Sequence, residues 1–315
     1  MKSALAIIGA SVAVSAIAQT TPQQPSQQDL IRAAAGAVNR PLVYHVNGED
    51  KVRVRKDITY RTDPDARADV YEPPNKVAGA KTPIVVLIHG SVPKVPVLPK
   101  DWGLFQGWGR LLAASGLVTV AFNHRLGYPN PFMIEADDDL ARLLTYLRGH
   151  AADFGGDPER MCLASYSGGG PLLSRYIREQ LPAVRCLVAF YSVLDIRDAE
   201  PHPKFMKPDQ LAMFSPAVQV DAHAATMPPM FVMRAGHDRI PALNTWMETF
   251  LNTAIKRNAP ITLMVHPTGA HGFENTTDDE RSREIIKASI TFMREHLRGS
   301  KVPEFQSSRV RRPEF

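Results

Sequence analysis

Met161-Cys162-Leu163-Ala164-Ser165-Tyr166-Ser167-Gly168-Gly169-Gly170-Pro171-Leu172-Leu173 decides how this chain is read. An apolar, strand-like run meets a serine among small residues, then three glycines, then a helix-like apolar pattern. That order describes a nucleophile elbow, a sharp strand-to-helix turn that lifts a serine hydroxyl above a sheet. Strain at the nucleophile requires small residues two before and two after it, here Ser165 and Gly169. The same rule of small flanks selects Ser167 over Ser165 as the reactive serine. Taken alone, a glycine-rich strand-to-helix loop serves equally well as a phosphate cradle, so the surroundings must decide.

Outward from the elbow, the chain alternates strand-like and helix-like runs. Ile84 to Ile88 is a continuous aliphatic stretch, as expected of a parallel strand covered on both faces. Similar runs occur at Val118–Phe122, Arg160–Ala164, Cys186–Tyr191, Met230–Arg234 and Ile261–Val265. Amphipathic stretches lie among them at Trp108–Ser115, Ile134–Leu147, Leu172–Glu179, Leu243–Arg257 and Arg281–Leu297. Two alternating segments, Val52–Tyr60 and Ala68–Tyr71, precede the series. The fold class is therefore α/β: a mainly parallel central sheet with helices on both faces and an antiparallel N-terminal edge. The connection 195–229 is long and rich in Pro and Met, and is expected to form a small cap.

Ligands of such sheets bind beyond the carboxyl ends of the strands. Polar residues emerge there at His89-Gly90-Ser91, at Ser167, at Gly236-His237-Asp238 and at His266 through His271. A serine, an acid and a histidine thus reach one rim in the order Ser167, Asp238, His271. Serine needs a base to become nucleophilic, histidine titrates near neutrality, and a carboxylate fixes the histidine tautomer. Backbone N–H groups of Gly168 and of Ser91 or Gly90 are placed to hold an oxyanion. Asp195 is the rival acid. Among the histidines, His266 competes with His271 but is followed by Pro267, whereas His237 and His89 read as structural neighbours.

In these residues the chain resembles the α/β-hydrolase superfamily on its serine esterase and lipase branch, over roughly residues 50–298. Phe154-Gly155-Gly156-Asp157-Pro158 and His271-Gly272-Phe273 are similar to the hormone-sensitive-lipase-like and feruloyl or acetyl esterase groups. Dienelactone hydrolases share the compact plan but use cysteine. Ser91-Val92-Pro93 follows Gly90 where hormone-sensitive-lipase-like enzymes have a longer glycine run, which leaves open whether Ser91 or Gly90 supplies the second oxyanion donor. The resemblance implies a carboxylic ester hydrolase with an acyl-enzyme intermediate, acting on small-molecule or polymer-linked esters and needing no cofactor. A prolyl-oligopeptidase-like peptidase and a non-catalytic binding protein of the same fold are the alternatives.

The 315 residues are 44% hydrophobic and 22% charged, with a formal charge of +5. No basic helix with interleaved aromatics appears, which argues against a nucleic-acid partner. The histidines show no metal-ligand spacing. Met1-Lys2, an apolar run from Ala4 to Ala18 and Ala16-Ile17-Ala18 read as a secretory signal cleaved near Ala18. The run is too short for a stable membrane span. Expected boundaries are a signal at 1–18, a linker at 19–48, a catalytic domain at 49–298 and a basic tail at 299–315. Cys162 and Cys186 begin neighbouring strand-like runs, as a disulfide or as two buried thiols. Trp102, Phe105 and Trp108 either line a pocket or pack a helix.

Overall fold

Five successive buried residues, Ile84 to Ile88, close the strand Thr82–Ile88. Because side chains alternate across a strand, unbroken burial requires cover on both faces of the sheet. The computed structural model describes Gly36 and residues 40–298, apart from 76–78, 93–95 and 241. The expected signal and tail lie outside the described residues.

Eight strands form one sheet: β1 (Arg53–Thr59), β2 (Arg67–Glu72), β3 (Thr82–Ile88), β4 (Val118–Phe122), β5 (Gly156–Tyr166), β6 (Val184–Phe190), β7 (Met230–Ala235) and β8 (Ile261–His266). Their order is β1-β2-β4-β3-β5-β6-β7-β8. The pairs β1–β2 and β2–β4 are antiparallel and the rest are parallel. The edges differ from the centre as water contact demands: β1 and β8 are largely exposed or half-buried. The order reverses at β3, which pairs with β4 on one side and β5 on the other. Crevices open at such reversals, so His89-Gly90-Ser91 and Ser167 leave the sheet where a ligand fits.

The helices are α1 (Gly103–Ala114), α2 (Met133–His150), α3 (Ser174–Arg178), α4 (His202–Phe205), α5 (Pro208–Met213), α6 (Pro216–His223), α7 (Leu243–Lys256), α8 (Phe273–Thr276) and α9 (Glu280–Leu297). Asp279 caps the last of these, its carboxylate accepting from the Ser282 N–H. Trp102, Phe105 and Trp108 are buried packing residues, with Phe105 edge-on to Tyr166 at 5.2 Å. Cys162 and Cys186 face each other in β5 and β6 and are joined as a disulfide.

Two boundaries move. The stretch read as linker to residue 48 already packs on the domain, since Leu42 is buried and the Val43 N–H donates to the Glu274 carbonyl. The helical run expected from Leu172 begins instead as a 3-10 turn, Ser167–Leu173, before α3. Pro171 and three glycines weaken a regular α-helix there. Within 195–229 lie α4, α5 and α6, and α6 packs beside α3 and α7.

Candidate active site

Ser167 adopts φ +52°, a left-handed conformation rare for a residue with a Cβ. The cost of that conformation is met by its surroundings. A side chain on Gly169 would come within 2.6 Å of the His89 carbonyl oxygen, so only glycine lets the turn cross the end of β3. The Ser167 carbonyl accepts from the Val193 N–H at 2.8 Å. Ser165, by contrast, is fully buried, 3.0 Å from the Ser192 hydroxyl. It is a packing residue, whereas Ser167 is half-buried and lines a pocket.

The strand-end loops carrying Asp238 and His271 are tied together. The Gly236 N–H donates to the His266 carbonyl and the His237 N–H to the Gly269 carbonyl. Across this junction His271 Nδ1 donates to Asp238 Oδ2 at 2.7 Å. The Asp238 side chain is unexposed while His271 keeps 27% exposure. That bond leaves Nε2 of His271 as the acceptor nitrogen. His271 also packs on the Tyr191 ring at 4.4 Å, two residues before Val193, so both loops join the segment that holds the elbow. Among the described residues Ser167 makes no hydrogen bond to His271; in unliganded sites such bonds commonly tighten only when substrate binds.

Asp195 is turned away from this chemistry. Burial alone would push its carboxyl up, but the Arg197 guanidinium and backbone N–H hold it below the ordinary carboxylate range. His266 is buried and bonds Asp279 and Ser282, anchoring the start of α9. His237 is exposed.

The oxyanion candidates are adjacent. A Cβ on Gly168 would lie 2.8 Å from the Ser91 nitrogen and 2.5 Å from its hydroxyl. One on Gly90 would meet the Ser167 Cβ at 2.8 Å. Gly90 therefore serves as a spacer against Ser167, and the N–H of Ser91 lies beside Gly168. Below this loop His89 and His124 stack at 3.5 Å with rings nearly parallel. His89 Nδ1 donates to the Gly90 carbonyl, and its Nε2 accepts from the His124 N–H. Burial pulls the His89 imidazole down to about 4 and His124 well below its ordinary value, so both are neutral at pH 7.

Two cavities meet at this rim. One of about 120 Å³ lies at Ser167 and is walled by Val193, Pro201, Ile240, Leu243 and Trp246. The other, about 730 Å³, is more polar, with Arg61, Asp63, Asn123, His124 and Arg125 in its wall. They share Gly127 and Tyr128. Among the described residues no cluster of His, Cys, Asp or Glu could hold a metal ion. No helix among them is long and apolar enough to cross a membrane.

Sequence reading missed Tyr191 and Glu274. Tyr191 follows β6 with φ +35°, and its hydroxyl hydrogen-bonds the fully buried Glu274 carboxylate. The available signal was position alone: Glu274 comes three residues after His271.

This sheet order and the strained turn at Ser167 are those of the α/β-hydrolase fold. The BD-FAE family model matches residues 68–176, which end just past the elbow. Esterase LipQ of Mycobacterium tuberculosis is 22% identical over 71% of this chain and 58% of its own. A probable isoprenylcysteine alpha-carbonyl methylesterase of Arabidopsis thaliana is 28% identical over 41% of this chain and 25% of its own. The chain thus spans about a quarter of the length of the methylesterase relatives it matches. Among solved structures, the fold is similar to esterase B of Lactobacillus rhamnosis (TM-score 0.64, 17% identity, 85% and 94% covered). It is also similar to a thermophilic esterase of Thermogutta terrifontis (TM-score 0.60, 17% identity, 80% and 97% covered).

Proposed function

We propose that this protein is a serine hydrolase of carboxylic esters that works through an acyl-enzyme. The observation that carries the reading is the 2.7 Å bond from His271 to unexposed Asp238, on loops tied to the segment that holds Ser167. Ser167 Oγ attacks the ester carbonyl as His271 Nε2 takes its proton. Asp238 stabilises the imidazolium that forms. The N–H groups of Gly168 and Ser91 receive the oxyanion, with Gly90 keeping the approach open. His271 returns the proton to the departing alcohol, and a water activated by the same nitrogen releases the acid. Every step is proton transfer and acyl transfer within this set of groups.

The cavities suggest how an ester is divided. Ligand pockets usually run to about 300–1,000 Å³, so the 120 Å³ apolar recess at Ser167 suits a short chain. The larger polar cleft suits the bulkier half. Ser167→Ala tested on p-nitrophenyl acetate and butyrate checks the reading: turnover is expected to vanish from a folded variant, and undiminished turnover overturns it.

The leader further supports export with cleavage near Ala18, and the Cys162–Cys186 disulfide is compatible with an oxidising compartment. N-terminal sequencing of the mature protein from an exporting host tests this, with intact Met1 as the contrary result.

A further inference from the structure

A second carboxyl, Glu274, reaches His271 through the ring of Tyr191. Glu274 is completely buried, and the Tyr191 hydroxyl bonds its Oε1. The Tyr191 ring in turn lies 4.4 Å from the His271 ring and 5.9 Å from that of Phe273. Tyr191 holds this place in a left-handed backbone conformation, φ +35°, an expensive geometry for an aromatic residue. His271 therefore has a carboxylate in line on one side, Asp238, and on its flank a tyrosine fixed by another.

We propose that Glu274 is a positioning residue for the reaction at Ser167: through the Tyr191 hydroxyl it fixes the ring against which His271 packs, and its charge sets how readily His271 takes a proton. This rests on the esterase reading above. Burial pushes the Glu274 carboxyl up to about 7, opposed by the Tyr191 hydroxyl, its own backbone N–H, the charge of His271 and the Trp108 indole N–H. The titratable groups facing it are Tyr191 from the end of β6, Tyr166 from the end of β5 and His271 from its own turn. Asp238 acts on the Tyr191 side of the network. The carboxyl thus changes charge over the range in which a catalytic histidine must change its own. An ionised Glu274 attracts an imidazolium at His271, the reciprocal of the pull that a charged His271 exerts on the Glu274 carboxyl.

The test is the pH dependence of kcat/KM for Glu274→Gln and Tyr191→Phe on p-nitrophenyl acetate. Glutamine keeps an acceptor for the Tyr191 hydroxyl and removes the charge, so the acid limb is expected to move down by about half a unit or more. Phenylalanine removes the hydroxyl that favours ionised Glu274, so its limb moves the same way. If Glu274→Gln fails to fold, Tyr191→Phe with its full-size ring carries the test alone. An acid limb unmoved in the folded variants, with only a pH-independent loss of rate, reduces Glu274 to a packing residue and overturns the proposal. A wild-type protein that hydrolyses no ester would instead overturn the underlying esterase reading.

Discussion

His271 Nδ1 donates to Asp238 Oδ2 over 2.7 Å, and this carboxylate is shut off from solvent while the imidazole is not. A buried acceptor facing a half-exposed ring fixes the tautomer and leaves the other ring nitrogen as the acceptor. Replacing Asp238 by Asn preserves shape but presents a donor, so the tautomer inverts. The expected fall in kcat is about 10³–10⁴-fold with little change in KM. Asp195→Asn, which loosens the Arg197 and Ser215 contacts, leaves kcat within a few-fold. Steady-state kinetics on a short p-nitrophenyl ester distinguish the two acids.

Gly168 approaches Ser91 so closely that a methyl group would sit 2.8 Å from the Ser91 nitrogen. Gly168→Ala should therefore part the N–H groups of Gly168 and Ser91, the proposed oxyanion donors. A kcat loss of about 10²-fold or more is expected, comparable to removing an oxyanion donor. An unchanged kcat would move the oxyanion site elsewhere.

Much of this was legible in sequence, for identifiable reasons. The Ile84 run and its repeats announce a doubly covered parallel sheet because no other arrangement hides so many consecutive aliphatic residues. Ser167 was legible because the elbow's geometry forces small neighbours. Asp238 and His271 were legible because strand ends deliver ligands to one rim. The disulfide was not, since it depends on the register that sets Cys162 opposite Cys186. Glu274 was not, because its contact with Tyr191 joins residues 83 apart in the chain. Lys100 was not either: a buried ammonium held by Asp57, Asp69 and Asp101 leaves no periodic trace.

The stacked pair His89 and His124 gives stability a definite pH slope. Both imidazoles have folded pKa values below their unfolded value of 6.5. Their contribution is complete above that value and is lost as pH falls through it, because the unfolded chain protonates first. For His89, with a folded value of about 4, the loss is on the order of 3 kcal/mol by pH 4. Glu274 runs the opposite way: its folded value of about 7 exceeds the unfolded 4.5, so stability is given up as pH rises between them. His124→Asn, which keeps an acceptor for the Leu126 N–H, should lessen the acid loss in Tm measured against pH.

Trp246 walls the small recess at Ser167. Trp246→Ala opens it, so kcat/KM for octanoyl relative to acetyl esters should rise about tenfold or more. An unchanged ratio would assign the short chain to another wall.

The central claim is that Ser167 is the nucleophile. Reacting the protein with a fluorophosphonate and mapping the adduct by peptide mass spectrometry tests it most directly. One phosphonyl group on Ser167, absent from Ser167→Ala and retained in Ser165→Ala, is the result expected. Labelling at another residue, or none in the folded protein, contradicts it.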